Sequence, residues 1–80
     1  MSQPIPTAIT VTGHTDTVAS PQFNYNLGLK RAQGVATILL NQGVDAANLF
    51  VSSHGDADLL EKTERGIANA RNRRVEVIVR

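Results

Sequence analysis

Apolar and polar positions along the chain change period several times. Ala8-Ile-Thr-Val-Thr12 alternates β-branched and small residues and places Ile9 and Val11 on one face, which predicts a strand stopped by Gly13. Thr15 to Gln22 is polar with a Ser-Pro pair and reads as a loop. From about Asn24 to Gln42 the pattern turns helical, with Tyr25, Leu29, Ala32, Ala36 and Leu39 recurring at spacings of three and four and Gly43 as the stop. Gly28 and Gly34 inside this helix each cost about 1 kcal/mol relative to alanine, so packing must favour glycine there. Leu49-Phe-Val-Ser-Ser53 predicts a second strand ended by His54-Gly55. A mostly irregular stretch over 56–63 leads into a short helix from about Thr63 to Arg71. Arg73 to Arg80 alternates again, with Val75, Val77 and Val79 on one face and Arg74, Glu76 and Ile78 on the other. The order β-α-β-α-β predicts an α/β (α+β sandwich) layer fold. Helices pack on one face of a short mixed sheet, and the first two strands run parallel through a crossover.

Composition narrows the function classes. The 80 residues fit a single small domain, and the absence of cysteine excludes disulfide scaffolds, thiolate metal sites and thiol catalysis. A net charge of +1 gives no electrostatic reason to expect a nucleic-acid partner. Three aromatic residues, Phe23, Tyr25 and Phe50, are too few for a stacking platform. The apolar runs are too short to span a bilayer, and no signal-peptide pattern opens the chain. Met1-Ser-Gln-Pro-Ile-Pro6 has two prolines and no period, so residues 1–7 read as a linker remnant and 8–80 as the domain.

Three constellations could carry chemistry. Gly13-His14-Thr15-Asp16 lies just beyond the carboxyl end of a strand, where ligands collect in open α/β sheets. Asn24 and Arg31 on the following helix are seven residues apart and fall within about 20° of the same side. Asp16 and Arg31, a few ångströms apart, would complement a zwitterionic head group, because a carboxylate attracts an ammonium and a guanidinium forks a carboxylate. A plain salt bridge between the two is the competing reading. Secondly, His-x-Asp occurs twice at strand ends, as His14/Asp16 and His54/Asp56. On neighbouring parallel strands the four groups would form a divalent-metal set for metal-assisted hydrolysis, against the simpler reading of turn-fixing histidines. Thirdly, Arg71-Asn72-Arg73-Arg74, with Arg65 and Arg80, reads as a solvated strand start or a dock for an anionic ligand. Alternation across the strand, with Glu64 and Glu76 interspersed, argues against a nucleic-acid face. No nucleophile elbow, phosphate loop or catalytic glutamate pair is present, so the residues favour a binding module over an enzyme.

The same residues carry a family resemblance. Ile9-Thr-Val-Thr-Gly-His-Thr-Asp16, Phe23-Asn24, Leu27-Gly-Leu-Lys-Arg-Ala32 with Val35, Gly43-Val44, Leu49 and Asn72-Arg-Arg-Val-Glu-Val77 follow one another in the order and spacing of the OmpA-like domain family. That family is the peptidoglycan-binding module of outer-membrane anchors, peptidoglycan-associated lipoproteins and flagellar stator subunits. The resemblance spans about residues 8–79. It implies non-catalytic, cofactor-free binding of the peptidoglycan peptide stem, chiefly its diaminopimelate, which anchors a larger envelope protein to the cell wall. It implies a periplasmic location through that parent protein. The family's ligand-holding aspartate and arginine fall on Asp16 and Arg31, with Asn24, Asn72 and Arg73 in support, and His14 becomes a turn-fixing residue.

Three departures from the family pattern stand out. Ala68-Asn69 replaces the usual Gly-Arg, and Ser53-His54-Gly55 with Leu59 replaces a Gly-x-Gly and a later proline. The strand and long helix that normally precede the matched region are lacking. Their loss would bare apolar sheet surface and a strand edge. A homodimer would compensate, and a cut-down domain serving only in oligomerisation is the remaining alternative.

Overall fold

A computed structural model describes residues 8–80; the expected linker lies outside the described residues. Strand β1 (Ile9–His14) leads through a buried turn into helix α1 (Pro21–Asn41). A single 3-10 turn (Ala46–Asn48) then precedes β2 (Leu49–Gly55), and an irregular segment leads to β3 (Arg74–Val79). The sheet order is β2-β1-β3, with β1 parallel to β2 and antiparallel to β3. The parallel pair needs a crossover, and α1 supplies it.

The helix starts three residues before the position its apolar period suggests. The Ser-Pro pair read as loop is the helix cap: the Ser20 hydroxyl accepts the Phe23 N–H at 3.3 Å and Pro21 occupies the first turn. At the other end Gln42 caps the helix, and Gly43 follows at φ 99°, a left-handed conformation that suits glycine.

The buried line of α1 is Asn24, Gly28, Ala32 and Ala36, not the larger Tyr25–Leu29–Leu39 set. Tyr25 is exposed, and Leu29 and Leu39 are only half-buried. The reason lies in how closely helix and sheet approach. A methyl added at Gly28 would sit 3.1 Å from the Gly13 carbonyl oxygen, and one at Gly13 would overlap the Gly28 carbonyl. Only small residues allow that approach. Gly13 therefore does not stop β1, which continues to His14; it makes room for the helix. Gly34, by contrast, would have nothing within 4 Å of an added methyl and has no packing reason to be glycine.

The expected second helix does not form. Residues 63–71 run through turns, and Gly66 sits at φ 84° in their middle. Backbone groups there bond across the molecule, not along the segment. The Gly66 N–H donates to the Thr17 carbonyl at 2.7 Å, and the Thr17 hydroxyl accepts the Ile67 N–H and donates to the Glu64 carbonyl. Among the described residues the architecture is thus one helix on one face of three strands. Because α1 lies over β1 and β2 and barely reaches β3, Val77 and Val79 on that same face remain exposed.

Candidate functional site

The turn after β1 is built to hold a carboxylate in place. Thr15 N–H donates to the Gly55 carbonyl at 2.7 Å, which extends the β1–β2 pairing past the end of β1. Asp16 follows with only 7% of its surface exposed. Its Oδ1 accepts the Val18 N–H at 3.3 Å, and its Oδ2 accepts the Asn69 N–H at 3.2 Å. Arg73 Nε lies 3.4 Å from the same Oδ2. The carboxylate thus ties the strand-end turn to the segment before β3 and keeps a small window to solvent.

Asn24 sits beneath this turn. Its amide nitrogen donates to the carbonyls of Asp16 and Ala19 and to Asp56 Oδ2, all within 3.1 Å. Such a donor, 2% exposed, is a brace for the turn. Asp56 in turn accepts Arg65 Nη1 at 2.6 Å. Burial pushes the Asp56 carboxyl up, but the hydrogen bonds from Asn24 and Arg65, with the Arg65 charge, outweigh it. Asp56 therefore titrates below the usual carboxylate range.

Arg31 is the exception among these charges. Among the described residues it forms no ion pair, and its buried Nη1 has no hydrogen-bond partner. It lines a hollow of about 560 Å³ together with Gly34, Val35, Ile38, Arg73, Arg74 and Val75. Arg73 spans the gap, reaching Asp16 at one end and lining the hollow at the other. Asp16 and Arg31 are therefore not fused into the closed salt bridge that sequence spacing also allowed. The partner of Asp16 is Arg73.

Asn72 is fully buried and works inside the protein. Its Oδ1 accepts the Glu61 N–H and its Nδ2 donates to the Glu61 carbonyl, both at 2.8 Å. The Glu61 carboxylate accepts Asn69 Nδ2 at 2.8 Å and Arg71 Nη1 at 2.7 Å. Residues 61–72 thus form a loop stapled at its base. The staple, Glu61 with Asn69 and Asn72, escaped sequence reasoning; the Asn69 that departs from the family pattern was its one visible trace.

The arginine-rich end does not form an open basic face. Arg65, Arg71, Arg73 and Arg74 pair with Asp56, Glu61, Asp16 and Glu76 respectively. Nor do the two His-x-Asp turns join as a four-ligand set. The imidazoles do meet, with ring centroids 5.1 Å apart and edge to face, but Asp16 and Asp56 are held by the groups named above. The hydrolase reading loses both of its carboxylates, because Asp16 and Asp56 brace the far side of the sheet.

The sequence profile of the OmpA family matches residues 2–73. The chain belongs to the OmpA family. It is 37% identical over 71 residues to a probable lipoprotein, YiaD, of Escherichia coli, covering 89% of this chain and 32% of that protein. It is also 37% identical over 70 residues to the peptidoglycan-associated lipoprotein of Legionella pneumophila, covering 88% of this chain and 40% of that one. The fold matches the crystal structure of the peptidoglycan-associated lipoprotein from Burkholderia pseudomallei with a TM-score of 0.82 at 29% identity, over 91% of this chain and 62% of that one. This OmpA-family chain spans about a third of the length of the curated relatives it matches.

Proposed function

We propose that this chain binds peptidoglycan without catalysis and anchors a larger envelope protein to the cell wall at the periplasmic side of the outer membrane. Relatives named as outer-membrane proteins and peptidoglycan-associated lipoproteins support that setting. The ligand is the diaminopimelate of the peptide stem, whose free end carries an ammonium and a carboxylate on one carbon. Asp16 takes the ammonium and Arg31 forks the carboxylate, with Arg73 between them. Asn24 and Asn72 hold the two walls.

The observation that carries this reading is Arg31. A half-buried guanidinium on a hollow, with a buried nitrogen unpartnered among the described residues, is suited to receive an anion. Calorimetric titration with a diaminopimelate-containing muropeptide tests it. Charge-assisted hydrogen bonds of about 1.5–3 kcal/mol predict a roughly 10–100-fold loss of affinity in Arg31→Ala and in Asp16→Ala. Affinity should also fall as salt rises. Unchanged affinity in both variants would refute the assigned site.

A further inference from the structure

The face of the sheet opposite α1 carries a second group of side chains that wall binding does not use. His14 ends β1 and points away from the helix, since its neighbour Gly13 is the residue that meets Gly28. On β2 the pairing register steps from Gly13↔Ser53 to His14↔Gly55, so His54 is an extra, bulged residue. A bulge re-aims a side chain, and here it turns His54 onto the His14 ring. The chain then folds back, with Ala57 N–H donating to the His54 carbonyl at 2.9 Å, and this brings Asp58 Oδ2 to 3.5 Å from His54 Nδ1.

We propose that His14, His54 and Asp58 form a site for a divalent transition-metal ion of the zinc type. One donor atom from each lies within 4.8 Å of the others. Ligands at about 2.0–2.2 Å from a tetrahedral metal stand about 3.3 Å apart, so the group must contract by roughly 1.5 Å. His54 and Asp58 are more than half exposed and free to make that move. His14 supplies the independent sign of a missing ligand. It is 1% exposed, yet among the described residues neither ring nitrogen has a hydrogen-bond partner. Glu76 Oε1 lies 3.3 Å from its Nε2 but outside hydrogen-bond geometry, and it binds the Arg74 guanidinium. An imidazole buried with two idle nitrogens is costly, and a metal bond relieves one of them.

The donor set selects the cation. Two imidazoles and one carboxylate suit zinc, copper, nickel or cobalt, whereas magnesium and calcium call for oxygen ligands. By formal charge, the carboxylates of Asp58 and Glu76 stand beside the site against the single guanidinium of Arg74. Three protein ligands leave a fourth position to water. The ion would clamp the turn after β2 to the end of β1, on the face of the sheet opposite α1.

The test uses the metal alone, on the untagged full chain freed of metal with chelator, and is independent of wall binding. Calorimetric titration with zinc chloride should give one ion per chain at micromolar affinity, with magnesium giving no heat. His54→Ala and Asp58→Ala should each weaken zinc binding by about tenfold or more while leaving the chelator-treated melting temperature unchanged. Both residues are surface-exposed, so these variants carry the test even if His14→Ala fails to fold. Zinc binding weaker than about 100 μM, or binding undiminished in both surface variants, would overturn the proposal.

Discussion

Adding a single methyl at Gly13 tests whether close helix–strand contact holds the binding turn in place. In Gly13→Ala the new carbon would overlap the Gly28 carbonyl and stand 2.8 Å from the Gly28 Cα, where ordinary carbon contacts are about 3.5–4.0 Å. Both obstructing atoms are backbone, so no side chain can swing aside. The helix must lift by about 1 Å or more, which loosens the packing around the fully buried Val11 of β1 and Ala32 of α1. Overpacking of this kind costs about 1–3 kcal/mol, and rigid neighbours put this case at about 3. A domain of this length holds only about 4–12 kcal/mol in all. The expected outcome is a roughly 150-fold drop in the folded-to-unfolded ratio and a melting temperature lowered by about 12–24 °C. Gly34→Ala is the internal control. It sits in the same helix with open space around it and should gain up to about 1 kcal/mol of helix propensity. Urea and thermal melts followed by circular dichroism measure both. The reasoning fails if Gly13→Ala melts within a few degrees of the parent, or if the two substitutions shift stability in the same direction.

Two further predictions concern the stapled loop. Asn72→Ala removes two 2.8 Å hydrogen bonds from a fully buried side chain and should cost about 2 kcal/mol in urea melts, whereas Arg71→Ala, at an exposed ion pair, should change stability by less than about 0.5 kcal/mol. The Glu61 carboxyl titrates below its ordinary range, chiefly through the Asn69 hydrogen bond and then the Arg71 charge. Its contribution is therefore present above the ordinary carboxylate pKa and lost as pH falls through the lowered folded value. A carboxyl carbon NMR titration should show Asn69→Ala moving that value back up, and an unmoved curve would contradict the assignment.

Strands and helix were legible wherever burial follows a simple period. β1 and β3 alternate, and their observed register pairs Val11 with Val77 and Thr12 with Glu76 as the shared faces require. Legibility ended where small residues set the packing. Ranking α1 positions by size pointed to Tyr25 and Leu39, but the sheet selects the i, i+4 line of Asn24, Gly28, Ala32 and Ala36 because it approaches so near. The false helix over 63–71 had plausible spacing at Ile67 and Ala70. Nothing local reveals that Gly66, Ile67 and Asn69 give their N–H groups to Thr17 and Asp16 instead. The site shows the same division. The positions of Asp16, Arg31 and the two histidines follow from strand ends and helix period. Their partners depend on how the loop before β3 folds back, so Arg73 for Asp16 and Asp58 for His54 could not be read from spacing.

This division bears on which substitution best diagnoses the binding site. Asp16 anchors two loops as well as facing the solvent, so Asp16→Ala orphans the part-buried N–H of Asn69 and the charge of Arg73. Weakened ligand binding in that variant mixes a lost contact with a loosened wall. Among the described residues Arg31 supports no other polar group, and removing it deletes a buried nitrogen that has no partner there. Arg31→Ala should therefore leave stability unchanged or slightly raised while affinity falls, whereas Asp16→Ala should lower both. A structural role for Arg31 would move stability and affinity together. Only a residue kept for its ligand parts the two.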